Sequence, residues 1–174
     1  MGFSRKQQSS DMPPLIEEVK AGEPIVLDKE EQRAIDNFVK SHFPDLKDRI
    51  FPKDVAAAIV RGVGSEALEQ LARRKLFAGD LKGAASTCVK SLGLSGGKDT
   101  DWLLLSEIFA QHRDIVRSRG FLDKAQEARK KNKKFLAKSL EKVKGKNEIQ
   151  RAGDNIWDNE VQRVQDIIRS KQPK

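Results

Sequence analysis

The side chains most able to bind a charged ligand lie in one stretch of the chain, residues 124–146. This stretch holds ten Lys or Arg residues and two Glu residues, whereas the rest of the chain holds 24 basic and 24 acidic residues. The net charge of +8 therefore comes from this segment. Its positive charges could bind phosphates, an anionic membrane or an acidic protein surface. The predicted basic patch consists of Lys130, Lys131, Lys133, Lys134, Lys138 and Lys142.

The same segment predicts a long helix, roughly 121–144, because a thin apolar stripe runs among the lysines at helical spacing. Lysines dominate and aromatic residues are few, so any contact with nucleic acid would be to the phosphate backbone rather than to stacked bases. A solvated surface helix that binds nothing is the alternative interpretation of this pattern.

No arrangement of residues in the sequence is typical of an enzyme active site. The stretch "GLSGGK" at 93–98 lacks the Ser or Thr that follows the lysine of a phosphate-binding loop. Cys88 lies on an apolar helical stripe, which predicts a packed, inert thiol. His42 and His112 stand far apart, without Cys or carboxylate partners at metal-ligand spacing. We therefore expect no enzymatic activity, no cofactor and no metal site.

The elements that would position the basic segment are helices, since almost no alternating strand pattern occurs and the predicted class is all-α. Asp28, followed three residues later by Glu31, has the spacing of a capping box and predicts a helix over 29–43. A second helix is expected at 53–63, because the glycines of "GVG" at 62–64 should end it.

The middle of the chain predicts three further helices. One should start at Ser65 and end at the tight turn "AGD", residues 78–80, and a regular apolar stripe follows over 81–92. After a loop at 95–99, the stretch "DTDWLLLSEIF" should form a helix that begins near Asp99.

Two expectations concern the C-terminal part of the chain. Gly120 should interrupt the chain before the basic helix, and a last helix should start at Asp154 or Asn155. This last helix could fold back on the domain or fill the groove of a partner. Its apolar residues are Trp157, Val161, Val164 and Ile168.

The expected organisation has three regions. Residues 1–27 should form an extended or disordered N-terminal arm, because they are rich in Pro, Gly and Ser and show little periodicity. Residues 28–132 should form an all-α domain, and residues 133–174 should form basic and amphipathic C-terminal helices. No apolar run reaches the roughly 18 residues that a bilayer span requires. Since no secretory leader is apparent either, we expect a cytoplasmic, intracellular protein.

A 34-residue period relates residues 65–98 to residues 99–132. The shift mostly superposes large apolar residues on large ones and small residues on small ones. The main pairs are Trp102 with Leu68, Leu105 with Leu71, Ser106 with Ala72, Asp114 with Asp80, Ser118 with Ala84, and Leu122 with Cys88. The period therefore predicts two helix–turn–helix units.

This pattern resembles the tetratricopeptide repeat (TPR) family, whose units open with W-x2-L-G-x2-Y. The residues that match this opening are Trp102, Leu105, Ser106 and Phe109, with Ser in place of Gly and Phe in place of Tyr. Gly79 matches the turn between the two helices of a unit, whereas Arg113 stands at that position in the second unit. The resemblance covers residues 65–132, and neither unit has the closing proline of the family.

The resemblance implies a concave groove, lined by the first helix of each unit, that binds a peptide or helix of another protein. Packing of Phe77 and Leu103 against neighbouring helices is the alternative for these two residues. The resemblance also implies that Trp102 is a wedge between adjacent hairpins rather than a ligand-binding residue. The partner-binding residues implied by this register are Arg73, Leu76, Phe77, Leu103, Glu107 and Gln111.

Two functions agree with these patterns. The first is a non-enzymatic protein–protein interaction adaptor, a TPR-like subunit of a larger assembly whose basic helix contacts an acidic or phosphate-rich partner. The alternative is an RNA-binding protein in which residues 124–146 contact the phosphate backbone. The sequence favours the adaptor, because it supplies few aromatic residues for stacking on bases.

Overall fold

The computed structural model is all-α and describes residues 25–44, 53–139 and 145–172. Within these ranges the chain forms six helices and no strand. Lys142 and most of the predicted N-terminal arm lie outside the described residues. The helices are α1 (Lys29–His42), α2 (Lys53–Phe77), α3 (Leu81–Ser95), α4 (Asp99–Gln111), α5 (Ile115–Ser139) and α6 (Lys146–Ser170).

The capping box predicted at the start of α1 is confirmed. Asp28 accepts hydrogen bonds of 2.9 Å from the backbone N–H groups of Glu30 and Glu31, and Glu31 accepts one of 2.9 Å from the N–H of Asp28. The carboxylate of Glu31 is only 1% exposed and also accepts from Lys90 Nζ at 2.6 Å and Thr87 Oγ1 at 3.0 Å. Glu31, which completes the capping box, therefore also connects α1 to α3.

The helix end predicted at 62–64 is wrong, because α2 continues through both glycines to Phe77. A Cβ atom on Gly64 would lie 3.3 Å from Leu94 Cδ1 and 3.6 Å from Ile35 Cδ1. The missing side chain thus lets α1 and α3 approach α2 closely. The packing gained there outweighs the helix propensity lost at a glycine, about 1 kcal/mol.

The two predicted helix–turn–helix units correspond to the pairs α2–α3 and α4–α5. Their turns have the same backbone geometry 34 residues apart, with φ of 81° at Gly79 and 64° at Arg113. Asp80 and Asp114 then each accept a hydrogen bond from the backbone N–H three residues on, at 2.8 Å and 3.1 Å. The second turn therefore forms without the glycine that a left-handed φ favours.

Small residues occupy the helix crossing in both hairpins. Ala72 and Ala84 are fully buried in the first hairpin, and Ser106 and Ser118 are fully buried at the equivalent places in the second. The two serine hydroxyls donate to each other's backbone carbonyl at 2.8 Å and 2.7 Å. Side chains of this size allow close contact between the paired helices, and the reciprocal bonds satisfy the buried hydroxyls.

Two apolar clusters form the core. The first joins α2, α3 and α4 to Phe121 of α5, and the second joins α4 and α5 to α6. Trp102 packs against both clusters and stacks on Phe121 with ring centroids 5.9 Å apart. This indole is therefore a packing residue.

The helix boundaries predicted near the C-terminus need correction. Gly120 lies inside α5, which begins at Ile115, and α6 begins at Lys146 rather than at Asp154 or Asn155. No atom lies within 4 Å of a Cβ built on Gly120, so the local packing neither requires nor excludes a break there. Of the two alternatives for the last helix, the structure shows the fold-back, with α6 packed mainly on α4.

Candidate partner-binding site

A cleft of about 720 Å³ opens where the C-terminal ends of α2 and α4 face the middle of α6. We call it the α2–α4–α6 cleft. It brings together five of the six residues that the TPR-like register implied for partner binding, together with Glu160 and Arg163 of α6. These five residues are Arg73, Leu76, Phe77, Glu107 and Gln111.

Phe77 is the large apolar side chain most exposed at this cleft, with 92% of its surface accessible. Its position follows from the end of α2, where the chain turns at Gly79 and Asp80 caps α3. Leu76, the residue before it, is half-buried against the first cluster. A single exposed apolar residue is common in proteins, so the significance of Phe77 comes from its place at a concave surface.

Leu103 does not belong to the accessible surface of this cleft. It is only 4% exposed and packs with Trp157, Val164 and Ile168 of α6. The expectation that Leu103 contacts a partner from an exposed position is therefore wrong, and the alternative of packing against a neighbouring helix is correct. The physical reason is that α6 covers the face of α4 on which Leu103 lies.

Glu107 has an intramolecular partner at the floor of the cleft. Its side chain is 9% exposed, and its two oxygens accept hydrogen bonds from Arg163 Nη1 at 2.5 Å and Nη2 at 2.6 Å. The hydrogen bonds from the guanidinium to Glu107 raise the pKa of Arg163 above its ordinary value, although partial burial opposes the shift. A further hydrogen bond, from Arg163 to Glu160 at 3.0 Å, also raises the pKa of Arg163. This bidentate pair joins α4 to α6.

Arg73 is held at the side of the cleft by Glu69, one turn earlier on α2. The guanidinium donates to Glu69 Oε1 at 3.0 Å, and Glu69 Oε2 accepts from Lys98 Nζ at 3.0 Å and Thr100 Oγ1 at 2.8 Å. Burial raises the pKa of Glu69, but the charge and hydrogen bond of Lys98 oppose it, and the net pKa is lowered. The carboxylate therefore stays ionised and orients Arg73.

The contribution of α6 to the cleft was not predicted from the sequence. Glu160 and Arg163 lie beside the apolar stripe of α6 and repeat no motif of the hairpins. One signal was present, because Glu107 shares a helix face with the apolar residues Leu103 and Ala110, at spacings of four and three. A buried carboxylate requires a cation, but the sequence does not say which of its many Lys and Arg residues supplies it.

The second candidate surface is the basic patch on the C-terminal half of α5. Its five described lysines are all exposed, whereas Lys142 lies outside the described residues. Lys131 pairs with Glu127 at 2.9 Å and Lys133 pairs with Asp154 at 2.9 Å. The remaining three lysines form no ion pair with a carboxylate in the described part of the chain. These three are Lys130, Lys134 and Lys138.

Arg129 marks the point where α5 stops packing on the domain. It donates to the carbonyl of Gly153 at 3.0 Å and to Asp154 at 3.2 Å, lies 3.4 Å from Asp99, and stacks over Trp157 at 5.2 Å. Before this residue α5 buries several apolar side chains, and after it every described residue of the helix is exposed. The basic patch therefore occupies an exposed extension of α5, beside the first turns of α6.

Cys88 and Asp101 are buried away from both surfaces. Cys88 Sγ is 3.3 Å from the carbonyl oxygen of Asp101, and burial raises the pKa of its thiol well above the usual range. Burial also raises the pKa of the Asp101 carboxyl to about 6, and hydrogen bonds from Ser95 at 2.7 Å and Ser91 at 2.8 Å oppose this shift. The predicted packed thiol is confirmed, and both groups lie where α3 contacts α4.

Among residues 25–44, 53–139 and 145–172, no group of three or more His, Cys, Asp or Glu side chains has the arrangement of a metal site. The helices in the same ranges include none that combines the length and apolar character needed to cross a membrane.

Comparison with protein-family models finds no matching family for this chain. Comparisons with curated proteins and with solved structures likewise find no match.

Proposed function

We propose that this chain is a non-enzymatic adaptor, a TPR-like helical subunit of a larger assembly that binds another protein at the α2–α4–α6 cleft. The observation that carries the proposal is the convergence of Phe77 with Arg73 and Gln111 on one concave surface. An exposed aromatic ring beside a guanidinium and an amide is the combination that protein interfaces favour, because it joins apolar area to directional polar contacts.

Two geometric features support the TPR-like part of this proposal. The turns at Gly79 and Arg113 share a left-handed φ, and the small residues at the helix crossings recur at the same spacing of 34 residues. The placement of α6 over α4 also agrees with a groove that accepts a helix. In this chain the inner part of that surface holds α6 itself, so an external partner would bind at the remaining opening near Phe77.

The test is affinity purification of the tagged full chain with quantitative mass spectrometry, comparing wild type with Phe77→Asp. A charge at a residue 92% exposed should leave the fold intact and weaken a partner that uses the cleft at least tenfold. The matched control is Val116→Asp, which alters a side chain 84% exposed on α5 that does not line the cleft. Recovery of every protein partner at wild-type levels with the Phe77 variant would reject the cleft as a binding site.

RNA binding is a second candidate function, favoured by the exposed lysines of α5. The discriminating variant replaces Lys130, Lys134 and Lys138 with Glu, because these three have no ion pair within the described ranges. Binding of a fluorescein-labelled single-stranded RNA should fall with rising salt, and the triple variant should abolish it. Negligible binding at about 150 mM salt would reject this function.

A further inference from the structure

A second cleft, of about 420 Å³, lies between α1 and the C-terminal half of α2. We call it the α1–α2 cleft. Glu30 pairs with Lys75 at 3.0 Å, and Ile35 Cδ1 lies 3.6 Å from a Cβ built on Gly64, so the two helices run antiparallel. On each helix the lining residues recur at spacings of three and four, which places them on one face. The volume lies within the range of about 300–1,000 Å³ that is usual for small-ligand sites.

Two arginines of this cleft have no carboxylate partner. Arg33 of α1 and Arg74 of α2 both line it, and neither side chain forms an ion pair or a hydrogen bond in the described part of the chain. Glu30, the carboxylate of the lining, is paired with Lys75. Both arginines lie within one turn of this ion pair along their own helices, so the antiparallel packing brings the two positive charges to the same end of the cleft.

The arginines that line the α2–α4–α6 cleft are different, because each is paired within the protein. Arg73 pairs with Glu69 at 3.0 Å. Arg163 pairs with Glu107 at 2.5 Å. These guanidiniums are occupied by intramolecular carboxylates, whereas the two arginines of the α1–α2 cleft present their charge to an external anion.

Two amide side chains add hydrogen-bond donors to the same lining. Asn37 follows Arg33 by four residues on α1. Gln70 precedes Arg74 by four residues on α2, so each helix presents one guanidinium and one amide a turn apart. Neither amide group has a hydrogen-bond partner among the residues that the structure describes. Both amides can therefore donate to an anion held by the arginines.

We propose that the α1–α2 cleft binds the phosphate monoester group of a small molecule. At pH 7 such a group has a charge of about −1.5 to −2 and three acceptor oxygens, so it can pair with both guanidiniums at once. A carboxylate has a single charge that one guanidinium fork satisfies, and it would leave the second arginine without a partner. The planar fork of arginine also suits bidentate contact with phosphate. Phe38 and Leu71 in the lining offer apolar surface to the rest of the ligand.

The experiment is an NMR titration of the isotope-labelled full chain with phenyl phosphate. Saturable shifts should be centred on the backbone amides of the lining residues of both helices. Arg33→Met and Arg74→Met should each raise the Kd at least tenfold, because each removes a set of charge-assisted hydrogen bonds. Both side chains are exposed, so these changes should leave the fold intact. Arg74→Lys, which keeps the charge but lacks the fork, should weaken binding less than Arg74→Met.

The matched control is Arg119→Met. Arg119 is also exposed and without an ion pair among the described residues, but it lies on α5, outside this cleft. Its replacement removes the same charge and should leave the Kd unchanged, so equal weakening by this variant would indicate non-specific attraction and overturn the inference.

Three further outcomes would overturn the assigned ligand. The first is the absence of saturable shifts at the α1–α2 cleft with phenyl phosphate. The second is binding of benzoate as tight as that of phenyl phosphate, since the cleft would then not select a phosphate. The third is a phosphoserine peptide that needs both arginines and binds at least tenfold more tightly than phenyl phosphate, because it would identify a protein rather than a small molecule as the occupant.

Discussion

The ion pair between Glu107 and Arg163 predicts an asymmetric response to mutation. The Glu107 side chain is 9% exposed, whereas that of Arg163 is 42% exposed. Replacing Arg163 with Met leaves a carboxylate that water reaches poorly. Replacing Glu107 with Gln leaves a guanidinium that can rehydrate and still pairs with Glu160 at 3.0 Å.

The expected costs follow from this difference in exposure. Breaking a buried pair from one side costs about 3–5 kcal/mol, and partial exposure of Arg163 reduces this to about 2–3 kcal/mol for Arg163→Met. Glu107→Gln should cost about 1 kcal/mol, since the neutral amide keeps a hydrogen bond to the guanidinium. In the double variant neither group is a buried unpaired charge, so its cost should fall about 1 kcal/mol short of the sum.

The assay is urea unfolding followed by far-UV circular dichroism, because urea is uncharged and does not screen the pair. The control is Arg169→Met, which removes an ion pair of 3.1 Å with Asp166 on the same helix, where the side chains are 67% and 59% exposed. That change should cost less than about 0.5 kcal/mol. Equal costs for Glu107→Gln and Arg163→Met, or strict additivity in the double variant, would refute the assigned burial of Glu107.

Three other responses are expected. Because burial raises the folded-state pKa of Asp101 to about 6, the free energy of unfolding should decline as pH rises from about 4 to 6, by about 2–3 kcal/mol in total. Asp101→Asn should flatten that decline in urea midpoints measured across this pH range. An unchanged slope in the variant would contradict the prediction. Arg113→Gly should raise stability by about 0.5–1 kcal/mol by relieving a φ of 64°, while Gly79→Ala at φ 81° should lower it by about 1 kcal/mol, in thermal unfolding; stabilisation by both changes would exclude this explanation. Cys88, which is fully buried, should react with Ellman's reagent only as the chain unfolds, so fast labelling of the native protein would disprove its burial.

Local pattern predicted the features that depend on neighbours along the chain. The capping box at Asp28, the turn at 78–80 and the start of α4 near Asp99 are confirmed, since each depends on hydrogen bonds within a few residues. The helical period likewise predicted the all-α class and the burial of Cys88. Membership of the TPR family remains a prediction.

Glycine positions show where local pattern was insufficient. The sequence predicted breaks at 62–64 and at Gly120, yet α2 and α5 continue through both. The helix propensity lost at a glycine is about 1 kcal/mol, which the tertiary packing of a 25-residue helix can outweigh. Only the fold showed that Gly64 faces Leu94 and Ile35.

The residues of the candidate surfaces were likewise predicted in part from the sequence and decided in part by the tertiary structure. Residue type and helical spacing predicted the basic helix, and the resemblance to the TPR family implied that Arg73, Phe77 and Gln111 line one groove. Tertiary structure alone decided that α6 returns to α4, burying Leu103 and pairing Glu107 with a residue 56 positions away. Such contacts depend on the path of the whole chain, and one sequence contains no local signal that selects among 34 Lys and Arg residues.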